Sequence, residues 1–440
     1  MIQKPLRYSL SNGLFWLMLF FSLSLLPLII SYSGSIPPKR SFLAEFGVSL
    51  GFIGLALFGL QFLFSGRIKQ IASHFGADNI IQFHKEVGIV AIVLTLCHPA
   101  LLLMADWSYI EFFDPRANLP RAAALVFATF GMVALLYSSL WRVSTGLNYE
   151  WWRLIHGILG FGLVFVGIVH SIQVGHYLNS PLKVGLLILF FAPMVYFIFH
   201  TRLIRPWKTK KKPWIITEVR PKRDDCYTIR FDKKDALEFS FEPGQFIWIT
   251  IAQTPFTLQQ HPFSFSSSAD SGFLELTAKR LGDFTNTWKY LKPGQTVYVE
   301  GPFGSFTLKD KPCFMVMGGI GVTPAISFLK TLSDRKDKRK CILLFGNKNW
   351  EHIPFRDALA ELEKKINLQL VHVLDEPEGD WEGEEGYITE EMMMRYLPEN
   401  CNEFDYYICG PASMMNQAEL TFRNAGVDWK NIYAERFDLV

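Results

Sequence analysis

The sequence predicts a multidomain chain in three parts: a six-helix transmembrane bundle, then an all-β barrel, then an α/β unit. Three observations carry this. Half of the 440 residues are hydrophobic and the mean hydropathy is positive, with the long apolar runs confined to residues 1–205. From about residue 213 short alternating strands take over, and after about residue 310 strands alternate with helices. The expected divisions are 1–205, a basic linker at 206–212, 213–309 and 310–440.

A helix needs about 20 apolar residues to cross the hydrocarbon core. Six stretches qualify: 12–31, 42–65, 81–104, 121–141, 152–173 and 183–203. The first follows Lys4 and Arg7 as a signal peptide would. Its apolar run is longer than a usual h-region and no A-x-A site follows, so it reads as a retained span. Basic loop residues set the orientation. Lys4, Arg7, Arg67, Lys69, Arg142, Arg153 and the segment RLIRPWKTKKKPW (202–214) fall on one side. The loop ADWSYIEFFDPRANLP (105–120), with three acids and one base, falls on the other. Both termini and the second half of the chain are therefore expected in the cytoplasm, and the protein in the cell membrane. The net charge of +3 is too small to point to a nucleic-acid partner. Six cysteines without metal-type spacing read as reduced thiols.

Two spans carry paired histidines: His84 and His98 on the third, His156 and His170 on the fifth. Each pair is fourteen residues apart. That interval falls about 40° short of four turns and rises about 21 Å, so each pair lies near one face at two depths. Both spans are odd-numbered and run in the same direction. His84 then meets His156 at the inner level, and His98 meets His170 at the outer. One metal cannot bridge about 21 Å, whereas one metal at each level can be held by two imidazoles, an axial set for haem iron. A proton relay is the rival, and it requires no matched levels. The residues sharing those faces are mostly small: Gly88, Ala91 and Thr95 on one helix, Gly160, Leu163 and Gly167 on the other. They would leave room for porphyrin, or promote plain helix packing. Phe161 and Phe165 lie between the two levels, where they either separate the haems or face lipid. His200 reads as interfacial, and His74 and His176 as loop residues.

The strands WIITEVRP, CYTIRFD, QFIWITI, FLELTAK and TVYVEGPFG make a barrel-sized set. CFMVMGG, TPAISFLKTL, CILLFGN, FRDALAELEKK and LQLVHVL then follow an α/β nucleotide-binding layout. In the barrel, HPFSFSSS from His261 offers main-chain and hydroxyl donors for a flavin and its phosphates. GDFT (282–285) opens an expected helix whose N-terminus could take a pyrophosphate. Both also read as ordinary turns. GGIGVTP (318–324) follows a strand, and Gly318, Gly319 and Gly321 let the backbone approach a pyrophosphate. The match to a dinucleotide fingerprint is incomplete. Pro324 stands where the third glycine belongs, and Asn347 and Lys348 stand where an acid is expected about 20 residues on. A tight strand–helix turn is the alternative. Lys348 would meet a 2′-phosphate or be solvated.

Taken in order, HPFSFSS, GDFT, GPFG, GGIGVTP and CGPASM resemble the flavin- and nicotinamide-binding halves of the ferredoxin–NADP reductase family. Joined to six spans with two H-x13-H pairs, nearly the whole chain resembles the NADPH oxidase and ferric reductase superfamily, in its bacterial form without calcium-binding domains. The resemblance implies that His84 with His156 ligates an inner haem b, and His98 with His170 an outer one. It implies that His261, Pro262, Phe263 and Ser264 contact the flavin, and that Gly282 and Thr285 bind the FAD pyrophosphate. Gly319, Gly321, Val322 and Thr323, with Gly318, would cradle the nicotinamide nucleotide. Cys409, Gly410, Pro411 and Met414 would line the nicotinamide side, and Phe437 would shield the flavin ring. Cys409 and Phe437 are the implied catalytic residues.

The implied activity passes electrons from NADPH or NADH to FAD, then through two haems to an external acceptor. FAD is the needed converter, because a hydride delivers two electrons and haem iron takes one. Dioxygen going to superoxide is the expected acceptor, and a ferric chelate the alternative. A quinone- or periplasmic-protein-linked reductase, and a redox-sensing or proton-conducting protein, are the further rivals. No obligatory protein partner is evident.

Overall fold

The computed structural model describes residues 10–35, 38–65, 77–233, 239–379 and 381–437. Lys4, Arg7, Arg67, Lys69 and His74 lie outside them. The chain divides into two units, Met1–Arg205 and Pro206–Val440.

Among the described residues of the first unit, six helices are long and apolar enough to cross a membrane. They are α1 (Leu10–Tyr32), α2 (Phe42–Ser65), α3 (Ala77–Ala105), α4 (Pro115–Leu140), α5 (Tyr149–Val174) and α6 (Pro181–Phe199). Their ends follow local chemistry. Asp114 caps α4 by accepting from Arg116 N at 2.8 Å, with Pro115 at the first helical position. The helix therefore starts at Pro115, ahead of the apolar run at 121. It breaks at Asn118 (φ −160°), and the Asn118 side chain accepts from Arg121 N at 3.0 Å to cap the resumed helix. Gly175, at φ +64°, ends α5 in the left-handed region. Ser180 and Pro181 start α6.

The most enclosed helix is α2. Val48, Phe52, Leu55, Ala56, Phe58 and Leu60 are buried along it, against Ala91 and Ile92 of α3 and Leu187, Phe191 and Met194 of α6. Glycine makes the α2–α3 approach possible, since a Cβ at Gly54 would lie 2.2 Å from Thr95 Oγ1. Lys183 is buried at the start of α6. Its ammonium donates to the carbonyls of Ser31 (3.0 Å), Ser35 (3.1 Å) and Tyr177 (3.1 Å), which supplies partners for all three protons. Beyond α6 the chain makes a π-type turn over His200–Ile204. The basic segment read as a linker is helical, as α7 (Arg205–Lys210).

The second unit opens with β1 (Trp214–Pro221), β2 (Cys226–Lys233), β3 (Phe246–Ile251), β4 (His261–Ser264) and β5 (Leu274–Lys279). A short helix, α8 (Asp283–Asn286), and β6 (Thr296–Phe303) follow. These strands form one antiparallel sheet, ordered β4-β3-β6-β1-β2-β5, and a bridge between Phe265 and Leu276 joins its two edges. The interior is apolar: Ile216, Ile229, Phe231, Ile247, Phe265, Leu276 and Trp288 are fully buried.

The remainder alternates strand and helix: β7 (Cys313–Gly318), α9 (Thr323–Asp334), β8 (Cys341–Asn347), α10 (Arg356–Glu363), β9 (Leu368–Leu374) and β10 (Glu384–Glu385). It closes with α11 (Glu390–Tyr396), β11 (Asp405–Cys409), α12 (Ala412–Asn424) and β12 (Ile432–Ala434). The sheet is parallel, ordered β10-β9-β8-β7-β11-β12. β7, β8 and β11 are continuous apolar runs because helices cover both faces. One face of α9 docks on the barrel. Ser327 Oγ donates to Ser267 O (2.8 Å), Lys330 Nζ to Ser266 O (2.7 Å), and Ala269 N donates to Thr331 Oγ1 (2.9 Å).

Candidate functional site

The histidines of α3 and α5 meet in pairs at matched levels. The ring centres of His84 and His156 are 6.2 Å apart, and those of His98 and His170 are 6.5 Å apart. A metal–imidazole bond of about 2.0–2.1 Å, plus about 1.1 Å from ring nitrogen to ring centre, gives about 6.3 Å across one shared ion. Both separations match that value. Among the described residues no three His, Cys, Asp or Glu side chains converge as a metal cage.

The surroundings orient the rings. His98 Nδ1 lies 2.9 Å from the Gly47 carbonyl, which can only accept, so Nδ1 carries the proton and Nε2 keeps its lone pair for a metal. His156 Nδ1 lies 3.2 Å from Ser139 Oγ, and the Gln61 amide lies 2.6 Å from His84 Nδ1. Gly47, Gln61 and Ser139 carry no periodic signal in the sequence, because each approaches from another helix.

The small residues divide by level. Thr95 and Ala91 pack on Gly54, and a Cβ at Gly167 would meet Leu55 Cδ1 at 2.6 Å, so α2 fills this stretch. Near the inner pair, a Cβ at Gly88 or Gly157 would meet nothing within 4 Å, and one at Gly160 only Leu135 at 3.9 Å. Gly88, Gly157 and Gly160 thus face open space, whereas Thr95 and Gly167 are taken up by packing on α2. Phe161 and Phe165 do not stand between the histidines. They lie about 140° and 180° around α5 from His156, and both are exposed.

In the barrel two motifs come together. His261 stacks on Phe284 with ring centres 4.1 Å apart and planes at 19°. Phe263, on the same face of β4, lies 6.1 Å from Phe284 and 5.0 Å from Trp288. HPFS and GDFT thus form one wall. The helix expected after GDFT is only a turn of α-helix followed by a 3-10 turn over Thr287–Tyr290. Thr285 Oγ1 accepts from Leu281 N and Gly282 N, at 3.1 Å each, so these groups bond one another. Ser264 is buried, and its strand neighbour Pro262 is half-buried.

The third cluster sits where β7 and β11 end side by side. Gly319 is at φ +50°, a conformation that favours glycine. A Cβ at Gly321 would lie 2.7 Å from Cys409 O, and one at Gly410 would lie 2.9 Å from Gly318 N. A Cβ at Gly318 would meet Pro411 Cδ at 2.7 Å and Met414 Sδ at 3.1 Å. GGIGVT and CGPASM are therefore one surface. Val322, Thr323 and Cys409 are buried, and the Thr323 hydroxyl donates to Ile320 O at 2.7 Å. Phe437 is 42% exposed at the end of the described chain.

Comparison with known proteins matches three segments of the chain to domain families. Residues 50–167 match the ferric reductase like transmembrane component, 212–307 an FAD-binding domain, and 315–419 the oxidoreductase NAD-binding domain. A plasma membrane-associated coenzyme Q6 reductase of Saccharomyces cerevisiae is 28% identical over 291 residues, 63% of this chain and 90% of that protein. An NADH-cytochrome b5 reductase of Neurospora crassa is 31% identical over 160 residues, 34% of this chain and 47% of that one. The chain thus spans about half the length of the b5 reductase. The FAD/NAD-binding domain of a Vibrio cholerae nitric oxide dioxygenase is 19% identical, with a TM-score of 0.46 over 51% of this chain and 98% of that one. The chain is a multi-pass membrane oxidoreductase in which a ferric-reductase-like transmembrane domain is joined to an FAD- and NAD-binding reductase module.

Proposed function

We propose that the chain carries electrons from cytoplasmic NAD(P)H through FAD and two haems b to a one-electron acceptor outside, reducing dioxygen to superoxide. The observation that carries this reading is the stacked pair of histidine contacts, 6.2 and 6.5 Å, on the same two helices. When bound, FAD takes up a hydride and gives up its electrons singly, and haem iron passes one electron at a time.

The chain's own groups do the rest. Gly318, Gly319, Gly321, Val322 and Thr323 present backbone to the nucleotide pyrophosphate. Gly410, Pro411 and Met414 close the nicotinamide side, with Cys409 behind them and Phe437 against the flavin. His261, Pro262, Phe263 and Ser264 hold the flavin, with His261 fixed by its stack on Phe284. Gly282 and Thr285 cap its pyrophosphate. His84 and His156 hold the inner haem, and His98 and His170 the outer. With His98 and His170 both engaged by an outer haem, that group would supply electrons without offering the acceptor an iron site. The basic stretch 202–212 holds the module at an anionic inner leaflet, with both termini cytoplasmic.

The balance is one NAD(P)H and two dioxygen giving NAD(P)+, one proton and two superoxide. A ferric chelate is the second reading, supported by the ferric reductase like match over 50–167. The test uses purified protein with FAD and NAD(P)H. Superoxide dismutase-sensitive reduction of cytochrome c is expected, faster than reduction of ferric citrate. Ferric citrate or a soluble quinone reduced in preference, with little superoxide, would replace the dioxygen reading.

A further inference from the structure

Ligands of parallel α/β sheets lie beyond the carboxyl ends of the strands, where strand order reverses. Here the reversal falls between β7 and β11, because the chain steps outward through β8, β9 and β10 before returning. CGPASM (409–414) occupies the β11 side of the GGIG turn. The far half of a dinucleotide then extends over the end of β8. Gly318 and Gly346 are paired in register, which sets Asn347 and Lys348 beside that turn.

The group at this position decides what the 2′-position of the adenosine ribose may carry. A carboxylate accepts from a 2′-hydroxyl, whereas a cation accommodates a 2′-phosphate. In sequence the position holds Asn347 and Lys348 and no acid. The fold supplies acids from the neighbouring strand. β9 ends at Leu374, and Asp375 N donates to Asn347 O at 3.0 Å while Glu376 N donates to Lys348 O at 2.7 Å. These two bonds fix Glu376 beside Lys348, and their side chains form an ion pair of 3.3 Å. Both are well exposed, at 60% and 62%. Further along, Arg356 turns to Glu351 at 3.3 Å and to the Trp350 carbonyl at 3.1 Å, and Arg223 pairs with the same Glu351 at 2.7 Å. Lys348, Arg356 and Arg223 each already face a carboxylate.

We propose that the nucleotide site selects NADH over NADPH, with Glu376 as the specificity-determining residue. Its carboxylate neutralises Lys348 and faces the adenosine ribose, where it repels a 2′-phosphate. The inference rests on reading 318–323 and 409–414 as the nicotinamide nucleotide site. A phosphate there carries about −1.5 to −2 charge, and like charges brought together at a recognition surface weaken binding strongly.

The test uses full-length protein in detergent. Flavin reduction by NADH and by NADPH is followed anaerobically, and binding of NAD+ and NADP+ is measured by calorimetry. The unaltered protein is expected to favour NADH by about tenfold or more in kcat/KM, and NAD+ similarly in Kd. Glu376→Gln should raise the NADPH-to-NADH efficiency ratio about tenfold, because Lys348 is freed for the phosphate and the 2′-hydroxyl loses a carboxylate acceptor. Adding Lys348→Ala should remove that gain. The discrimination should shrink as ionic strength rises. A preference for NADPH, or an unchanged ratio in Glu376→Gln, overturns the inference while the nucleotide site stands. Failure of either nucleotide to bind or to reduce flavin overturns the site reading and this inference with it.

Discussion

Replacing Lys330 by Met should loosen the junction between the flavin barrel and the α/β unit. The change keeps the aliphatic stem and removes the ammonium. Lys330 Nζ donates to Ser266 O at 2.7 Å and to Glu275 Oε2 at 3.2 Å, and Glu275 also pairs with Arg220. A hydrogen bond to a charged group contributes about 1.5–3 kcal/mol net. Three facts pull the sum down. Glu275 keeps Arg220, and the Lys330 side chain is 28% exposed, so solvent screens the pair. Burial also pulls the Lys330 pKa below its usual value despite the carboxylate, so desolvation offsets part of the gain. Two such bonds would give about 3–6 kcal/mol, and these offsets leave about 2 kcal/mol. At about 2–4 °C per kcal/mol for a unit of this size, melting should fall by about 4–8 °C. The assay heats purified full-length protein with FAD and follows the rise in flavin fluorescence on release. Lys330→Arg should keep most of the stability. A shift below about 1 °C, or equal losses in both variants, would refute the reasoning.

Gly54→Val should separate α2 from α3, since even its Cβ would lie 2.2 Å from Thr95 Oγ1 and 3.2 Å from Thr95 N. Overpacking of this kind costs about 1–3 kcal/mol or more, and a fall in monodisperse, haem-loaded protein on size exclusion would show it. His372 lies in the α/β unit, with Nδ1 buried and no hydrogen-bond partner, and burial followed by the Arg356 charge pulls its pKa down to about 4. Its folded pKa is below the unfolded value, so the unfolded state takes the proton first. Stability is full above about pH 6.5 and falls by up to about 3 kcal/mol as pH drops towards 4. His372→Phe should flatten that part of the melting profile, and parallel profiles would rule the residue out.

Periodicity made much of this structure legible. The fourteen-residue interval in α3 and α5 places His84 and His98, and His156 and His170, on one face of each helix whatever surrounds them. Apolar runs and strand alternation likewise depend only on local sequence, and the six helices and both sheets appear where those patterns lie. What periodicity leaves open is which neighbour a face meets. Thr95 and Gly167 looked like porphyrin space, but α2 fills it through Gly54 and Leu55. Phe161 and Phe165 fall between the histidines in sequence yet point away from them. Glu376 was hidden for the same reason, because it reaches Lys348 across two strands. At the α4 start, Pro120 obscured a helix that Asp114 and Asn118 cap twice.

The four histidines are proposed to hold two haems, one at each level, which are reduced by electrons from the flavin. The direct measurement is haem per chain by pyridine haemochrome, together with anaerobic reduction of the haem bands by NAD(P)H, in unaltered protein and in His170→Ala. Two haems per chain are predicted, both reduced through FAD. His170→Ala should keep one haem, still reducible, at the His84–His156 level. A single haem in the unaltered protein, or two retained in His170→Ala, would contradict the account.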